Sequence, residues 1–147
     1  MTELKITTSS KLFKVFSLML VVILVASSCT NKISFLTSTV VPAARSTVKI
    51  KNDSNKNHTI NIALLNLAEP ERLNPAKKMY MVWMETDQGA TKNIGQIMTD
   101  NGTFSKTLKA DFKTVTSFTP VKIFITAEND ANVQSPSWEI ILTTAKF

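Results

Sequence analysis

Chemistry at a protein surface needs groups that can act together, and this sequence offers few. It holds one histidine, His58, and one cysteine, Cys29. A structural zinc site takes about four Cys or His ligands, and a disulfide framework takes cysteines in pairs, so the chain supports neither. His58 stands between Asn57 and Thr59 at a turn–strand boundary and reads as a solvated edge residue rather than a general base. The sequence contains no Gly-rich phosphate loop, no G-x-S-x-G elbow and no H-E-x-x-H pair. The carboxylates left to form an acid–base couple in the second half are Glu85, Asp87, Glu128, Asp130 and Glu139. Asp87, Glu128 and Asp130 could offer oxygens to Ca²⁺, but they lack the dense Asp spacing of a calcium loop, and turn or cap chemistry accounts for them better. The expectation is a protein that is not an enzyme, with no catalytic, metal-binding or cofactor-binding residue.

Aromatic rings are the other candidates. Tyr80, Trp83 and Trp138 could together form a platform on which a sugar stacks. Trp83, however, lies in the doubly apolar stretch MYMVWMET, and Trp138 alternates with Ile140, so both are expected in the core. Met79, Met81 and Met84 read the same way, as adaptable core filler.

Cys29 is set apart by what precedes it. Lys5, Lys11 and Lys14 form a basic leader, and Val15 to Ala26 is apolar apart from Ser17. Crossing a bilayer core as a helix takes about 20 apolar residues, so this run is short for a membrane anchor. It has the length of a secretory signal. Ala26, Ser27 and Ser28 then lead into the sole cysteine. This order resembles the signal of bacterial lipoproteins, which implies cleavage before Cys29 and acylation of that residue. A single myristoyl chain gives only marginal, reversible membrane binding, so a durable anchor at Cys29 implies several chains. Thr30 and Asn31 follow, with no Asp directly after the cysteine and no acidic run nearby. By resemblance this implies an outer-membrane position facing the periplasm.

The bulk composition agrees with a folded domain at a membrane surface. The chain has 147 residues, 44% apolar and 19% charged, with a net charge of +6. The first 28 residues hold three of the 17 bases and one of the 11 acids, which leaves +4 for the remainder. The bases are scattered, with no Arg cluster and no run beyond Lys77-Lys78. Nucleic-acid binding is not expected from such a pattern, whereas mild attraction to an anionic membrane is.

The elements that must position any site read as strands. Residues 1–28 are assigned to the signal, 29–45 to the lipidated cysteine and a Ser/Thr-rich tether, and 46–147 to one folded domain. STVKIKN and HTINIALLNL alternate with period two around the turn NDSNKN. MYMVWMET is apolar on both faces, as a strand covered on both sides should be. TKNIGQIMT and TFSKTLKA flank Asn101-Gly102, a strong type I′ hairpin signal. DFKTVTSFTP has no period that settles its conformation. VKIFITAE points Val121, Ile123 and Ile125 inwards, and SWEIILTTAKF places Trp138, Ile140 and Leu142 on one face. About seven strands with almost no helical pattern predict an all-β, antiparallel β-sandwich of immunoglobulin-like type. One sheet alone could not bury enough apolar surface to offset the entropy of ordering a hundred or so residues.

From Tyr80 onward the chain resembles the C-terminal extracytoplasmic domain of anti-sigma-K factors. The residues that carry this are Tyr80 and Trp83 in YMVW, Gly95 in NIGQI, and Thr126, Glu128 and Pro136 in FITAENDANVQSP. The resemblance implies an extracytoplasmic β-sandwich that senses or binds something. The family's Pro-Gly-Gly after the glutamate is replaced by Asn129, Asp130 and Ala131, and its zinc-bearing sigma-binding region has no counterpart here. Sigma-factor inhibition is therefore not implied. The function expected is a lipid-anchored, non-enzymatic envelope protein that binds another envelope component or plays a structural part, with NDSNKN and NDANVQSP as contact loops. The alternative is a module binding glycans or small solutes.

Overall fold

Alternation becomes structure most directly in the segments before residue 66. A computed structural model describes residues 32–97 and 109–147; the segment read as a signal, Cys29, Lys106 and the turn expected at Asn101-Gly102 lie outside them. In β2 (Arg45–Asn52) and β3 (His58–Leu65), Val48, Ile60, Ile62 and Leu64 point inwards and are buried, while Lys49, Lys51 and Ala63 face solvent. The turn between them is built by Asp53, whose side chain accepts the backbone N–H groups of Asn55 and Asn57, both at 2.8 Å. Such side-chain-to-backbone bonds are why Asp and Asn favour turns.

Eight strands arise in the described residues. The others are β1 (Lys32–Ser34), β4 (Met79–Thr86), β5 (Thr91–Ile97), β6 (Lys109–Thr116), β7 (Pro120–Glu128) and β8 (Ile140–Thr143). They form two four-stranded antiparallel sheets, ordered β1-β2-β3-β6 and β5-β4-β7-β8. The expected β-sandwich is therefore the architecture found. Tyr80, Val82 and Met84 of β4 and Ile123 and Ile125 of β7 meet the inner face of the first sheet in one core. Gly95 sits at φ +138, and a Cβ there would come within 2.9 Å of the Phe112 ring on β6. Only glycine lets the two sheets close together at this point.

By register, the sandwich has two unlike ends. At the turn end lie the β2–β3 turn and the tight connections 87–90 and 117–119. At the loop end lie the longer connections 66–78 and 129–139. NDSNKN and NDANVQSP, expected to share one contact surface, thus stand at opposite ends.

Two boundaries differ from expectation. The stretch read as a tether belongs to the sandwich from Lys32 on, because β1 pairs with β2 and Val41 and Ala44 enter the core. Leu36 N–H then donates to the Thr143 carbonyl at 2.8 Å, so this segment spans from the first sheet to the edge of the second. Of the stretch TFSKTLKA only Lys109 and Ala110 are described, the rest lying outside the described residues. These two open β6, which runs on to Thr116 through the first part of DFKTVTSFTP, the segment without a readable period. β6 pairs with β3 and β5 with β4, so these two described strands lie in different sheets, while the hairpin expected around Asn101-Gly102 falls outside the described residues.

Candidate functional site

The second sheet carries an apolar cluster on its outer face, which is where its chemistry gathers. Met81, Trp83 and Phe124 are buried there, away from the main core, with Met79 and Val133 packed against them. Trp83 and Phe124 are cross-strand neighbours whose rings stack at 6.4 Å between centroids. Trp83 is thus fully buried, as expected, but beneath the 129–139 connection rather than between the sheets.

A chain of hydrogen bonds runs through this cluster. Trp83 Nε1–H donates to Thr126 Oγ1 at 2.8 Å, and the Thr126 hydroxyl donates to Glu128 Oε1 at 2.6 Å. The same carboxylate oxygen accepts the backbone N–H of Ser137 at 2.9 Å. Glu128 is buried, and these donors replace the water its carboxylate has lost. The connection is tied down further by Asn93 Nδ2, which donates to the Val133 carbonyl at 3.3 Å. Thr126 can serve this relay because it alternates outwards between the inward Ile125 and Ala127.

The next residue, Trp138, is where the structure departs furthest from expectation. Its side chain is 91% exposed, and Ile140 is 41% exposed, whereas Ile141 and Leu142 are both buried. Trp138 stands in a bend before β8 begins, and a register shift between Ile125 and Thr126, where β7 pairs with β8, turns Ile140 outwards. That irregularity breaks the simple alternation on which the core assignment of Trp138 rested. The outcome is an indole held in water directly after an anchored backbone group.

The other candidates are placed one by one. Glu85 takes Lys122 at 3.1 Å and Lys146 at 3.5 Å, and the Lys122 hydrogen bond leads the effects that hold its carboxyl below its ordinary range. Asp130 accepts the Asn132 N–H at 2.9 Å in a local turn, and Asp87 lies on an exposed turn. Glu139 is half-buried near the Trp138 side chain in sequence, with no pairing to another carboxylate in the described residues. His58 Nδ1 lies 2.7 Å from Asn52 Oδ1 across the β2–β3 turn. Among the described residues no group of three or more His, Cys, Asp or Glu could hold a metal ion. Met84 belongs to the main core and Met81 to the outer cluster. Tyr80 donates its hydroxyl to the Ala68 carbonyl at 2.9 Å, and burial pushes its phenol well above the ordinary range.

Sequence reasoning missed the relay itself. Three of its members, Trp83, Thr126 and Glu128, appear in the motif quoted above, while Tyr80 of that motif bonds the Ala68 carbonyl and Gly95 leaves room for the Phe112 ring. Beside the connection, a shallow polar hollow of about 420 Å³ is lined by Lys92, Asn93, Asn132 and Gln134 among others. Comparison with protein-family models, with curated proteins and with solved structures returned no match.

Proposed function

We propose that the protein is a non-enzymatic lipoprotein of the bacterial envelope, anchored through acyl chains on Cys29, that binds another envelope component through Trp138. The observation that carries the binding role is the 91% exposure of Trp138 immediately after the backbone that Glu128 fixes. A large aromatic ring presented next to an anchored backbone is the type of residue that dominates interface energetics. The non-enzymatic reading is supported by the engagement of Glu85, Glu128 and Asp130 in structural bonds. We place the anchor in the outer membrane, facing the periplasm, on the strength of Thr30 and Asn31 after the cysteine. We also read the sandwich as immunoglobulin-like, because β2-β3-β6 against β5-β4-β7-β8 matches the A-B-E and C′-C-F-G order of one such arrangement. The anti-sigma-K resemblance is consistent with an extracytoplasmic binding role, and three of its signature residues, Trp83, Thr126 and Glu128, form the relay beneath the loop.

The test is cross-linking of the tagged, full-length protein in its native host, followed by binding measurements with the recovered partner. Wild type should capture one partner in near-stoichiometric amount, and Trp138→Ala should weaken the purified interaction by roughly 30-fold or more, as expected for a hot spot. A variant that binds as tightly as wild type would remove Trp138 from the interface. A second reading, a glycan-binding module, draws on the polar hollow beside the connection. Glycan binding that depends on Asn93 and Gln134 but not on a captured protein would favour it.

A further inference from the structure

The outer face of the first sheet carries an arrangement that folding alone does not favour. Lys32 lies directly opposite Lys49, and Lys49 shares its row with Asn61 and Lys113. Like charges facing each other across strands destabilise a sheet. Lys51 continues the same face towards the turn end, in line with Thr59 and Val115. Val115, on the edge strand β6 two residues beyond Lys113, is 60% exposed on this face, whereas Phe118, in the following turn, is 41% exposed and stands against β5 of the other sheet. Lys92 Nζ lies 4.0 Å from the Phe118 ring centroid. The acidic neighbours are Asp53, held in the β2–β3 turn, and Asp111, one row further towards the loop end. The loop end differs in charge, with Glu69, Glu71, Asp111, Asp130 and Glu139 against Arg45, Arg72, Lys77, Lys78 and Lys109.

Chain length says what this basic face meets. Only Thr30 and Asn31 stand between Cys29 and Lys32. Three extended residues reach roughly 10 Å. Lys32 pairs with Lys49, which is itself three residues from the end of β2 at Asn52. An anchor at Cys29 therefore has only enough chain to bring the turn end of the sandwich to the headgroup layer.

We propose that the lysine face of the first sheet, Lys32, Lys49, Lys51 and Lys113 with Val115 beside them, docks on anionic lipid headgroups of the membrane in which Cys29 is anchored. The proposal rests on the lipid-anchor reading above and adds an orientation to it. Anionic headgroups relieve the repulsion between Lys32 and Lys49, and Val115 enters the interfacial layer, where an exposed apolar side chain is favourable. Trp138, in the connection at the loop end, is then directed away from the bilayer towards a partner.

The experiment uses the full-length protein, purified in lipidated form and reconstituted into vesicles of phosphatidylethanolamine with phosphatidylglycerol. Mass spectrometry first reads the acyl chains on Cys29. A nitroxide is placed at Val115→Cys or, at the loop end, at Glu71→Cys, and its access to dissolved oxygen and to a water-soluble nickel chelate is compared. The proposal expects the label at 115 to be oxygen-accessible and shielded from nickel, with the reverse at 71. Lys49→Glu with Lys51→Glu should shift the docked-to-free ratio by about fivefold or more per lysine removed, returning the label at 115 to water. Vesicles of phosphatidylcholine alone should give the same loss. Acylated protein whose label at 115 remains open to nickel on anionic vesicles would overturn the docking and leave the anchor standing. Absence of acyl chains on Cys29 would overturn both.

Discussion

The two sheets have opposite outer faces. On the first sheet the outer side chains include Lys49, Lys51, Asn61, Ala63, Asp111, Lys113 and Val115, uncovered and mostly solvated. On the second sheet the same position in the architecture holds Met81, Trp83 and Phe124, buried beneath the connection to β8. The difference shows how one sandwich divides its labour. A bare face costs little to change and is free to meet a surface, whereas a covered face is a second small core that fixes whatever its cover displays.

The largest expected effect comes from breaking the covered face. Trp83→Ala removes the stacked ring, the donor at the head of the relay and the floor beneath Val133. Loss of a buried aromatic of this size costs about 3–5 kcal/mol, a large share of the roughly 5–15 kcal/mol that stabilises a typical domain. Urea unfolding followed by circular dichroism should show a midpoint lowered to match. An unchanged midpoint would mean that the outer cluster contributes nothing to stability and that the comparison is false.

Thr126→Val tests the relay without emptying the cluster. The shape is kept, but the Trp83 N–H loses its acceptor and Glu128 Oε1 loses a donor. Each buried group left unpaired costs about 1–3 kcal/mol. The same variant should loosen the connection that Ser137 N–H anchors, read as faster hydrogen exchange at residues 133–138 with little change in β2 or β3.

These outcomes bear on what could be read in the residues beforehand. β2 and β3 were legible because one face is buried and the other wet, so apolar and polar residues alternate cleanly. β4 was legible for the opposite reason, since burial on both sides leaves MYMVWMET apolar almost throughout. β6 was not, because Ala110 and Thr114 point inwards beside Phe112 while the β-branched Val115 points out, which inverts the usual pattern. Trp138 was misplaced because it stands in a bend before β8, and the bulge that turns Ile140 outwards is a property of the pairing between strands that leaves no mark in one strand's own sequence. The three-residue β1 is too short to show a period, and strand order, which sends the two Asn-rich loops to opposite ends, is not encoded locally.

Tyr80 sharpens the comparison from the inner side of β4. Its phenol, raised by burial, is kept protonated in the folded state. Because the folded value lies above the unfolded one, near 10, its contribution is complete below that pH and is lost as pH rises beyond it. Wild type should therefore lose stability above about pH 10 more steeply than Tyr80→Phe. At neutral pH the order reverses, since the variant leaves the Ala68 carbonyl without its donor at a cost of about 1 kcal/mol. Parallel alkaline profiles for the two proteins would show that the phenol is not shielded as the structure places it.

The smallest effect is expected on the bare face, and its sign is what matters. Lys49 stands between Lys32 on one strand and the row that leads to Lys113 on another. Lys49→Glu turns a repulsive cross-strand pair into an attractive one, so the denaturation midpoint should rise slightly rather than fall. Between exposed charges such a gain is screened by salt, so it should fade as ionic strength approaches about 1 M, where the Debye length is near 3 Å. The same substitution should weaken docking on anionic vesicles. A change that stabilises the fold while releasing it from the membrane would show that these lysines are kept for the surface they meet. A lowered midpoint in low salt would instead mean that Lys49 serves the sheet itself, and the bare face would then need an explanation in terms of folding.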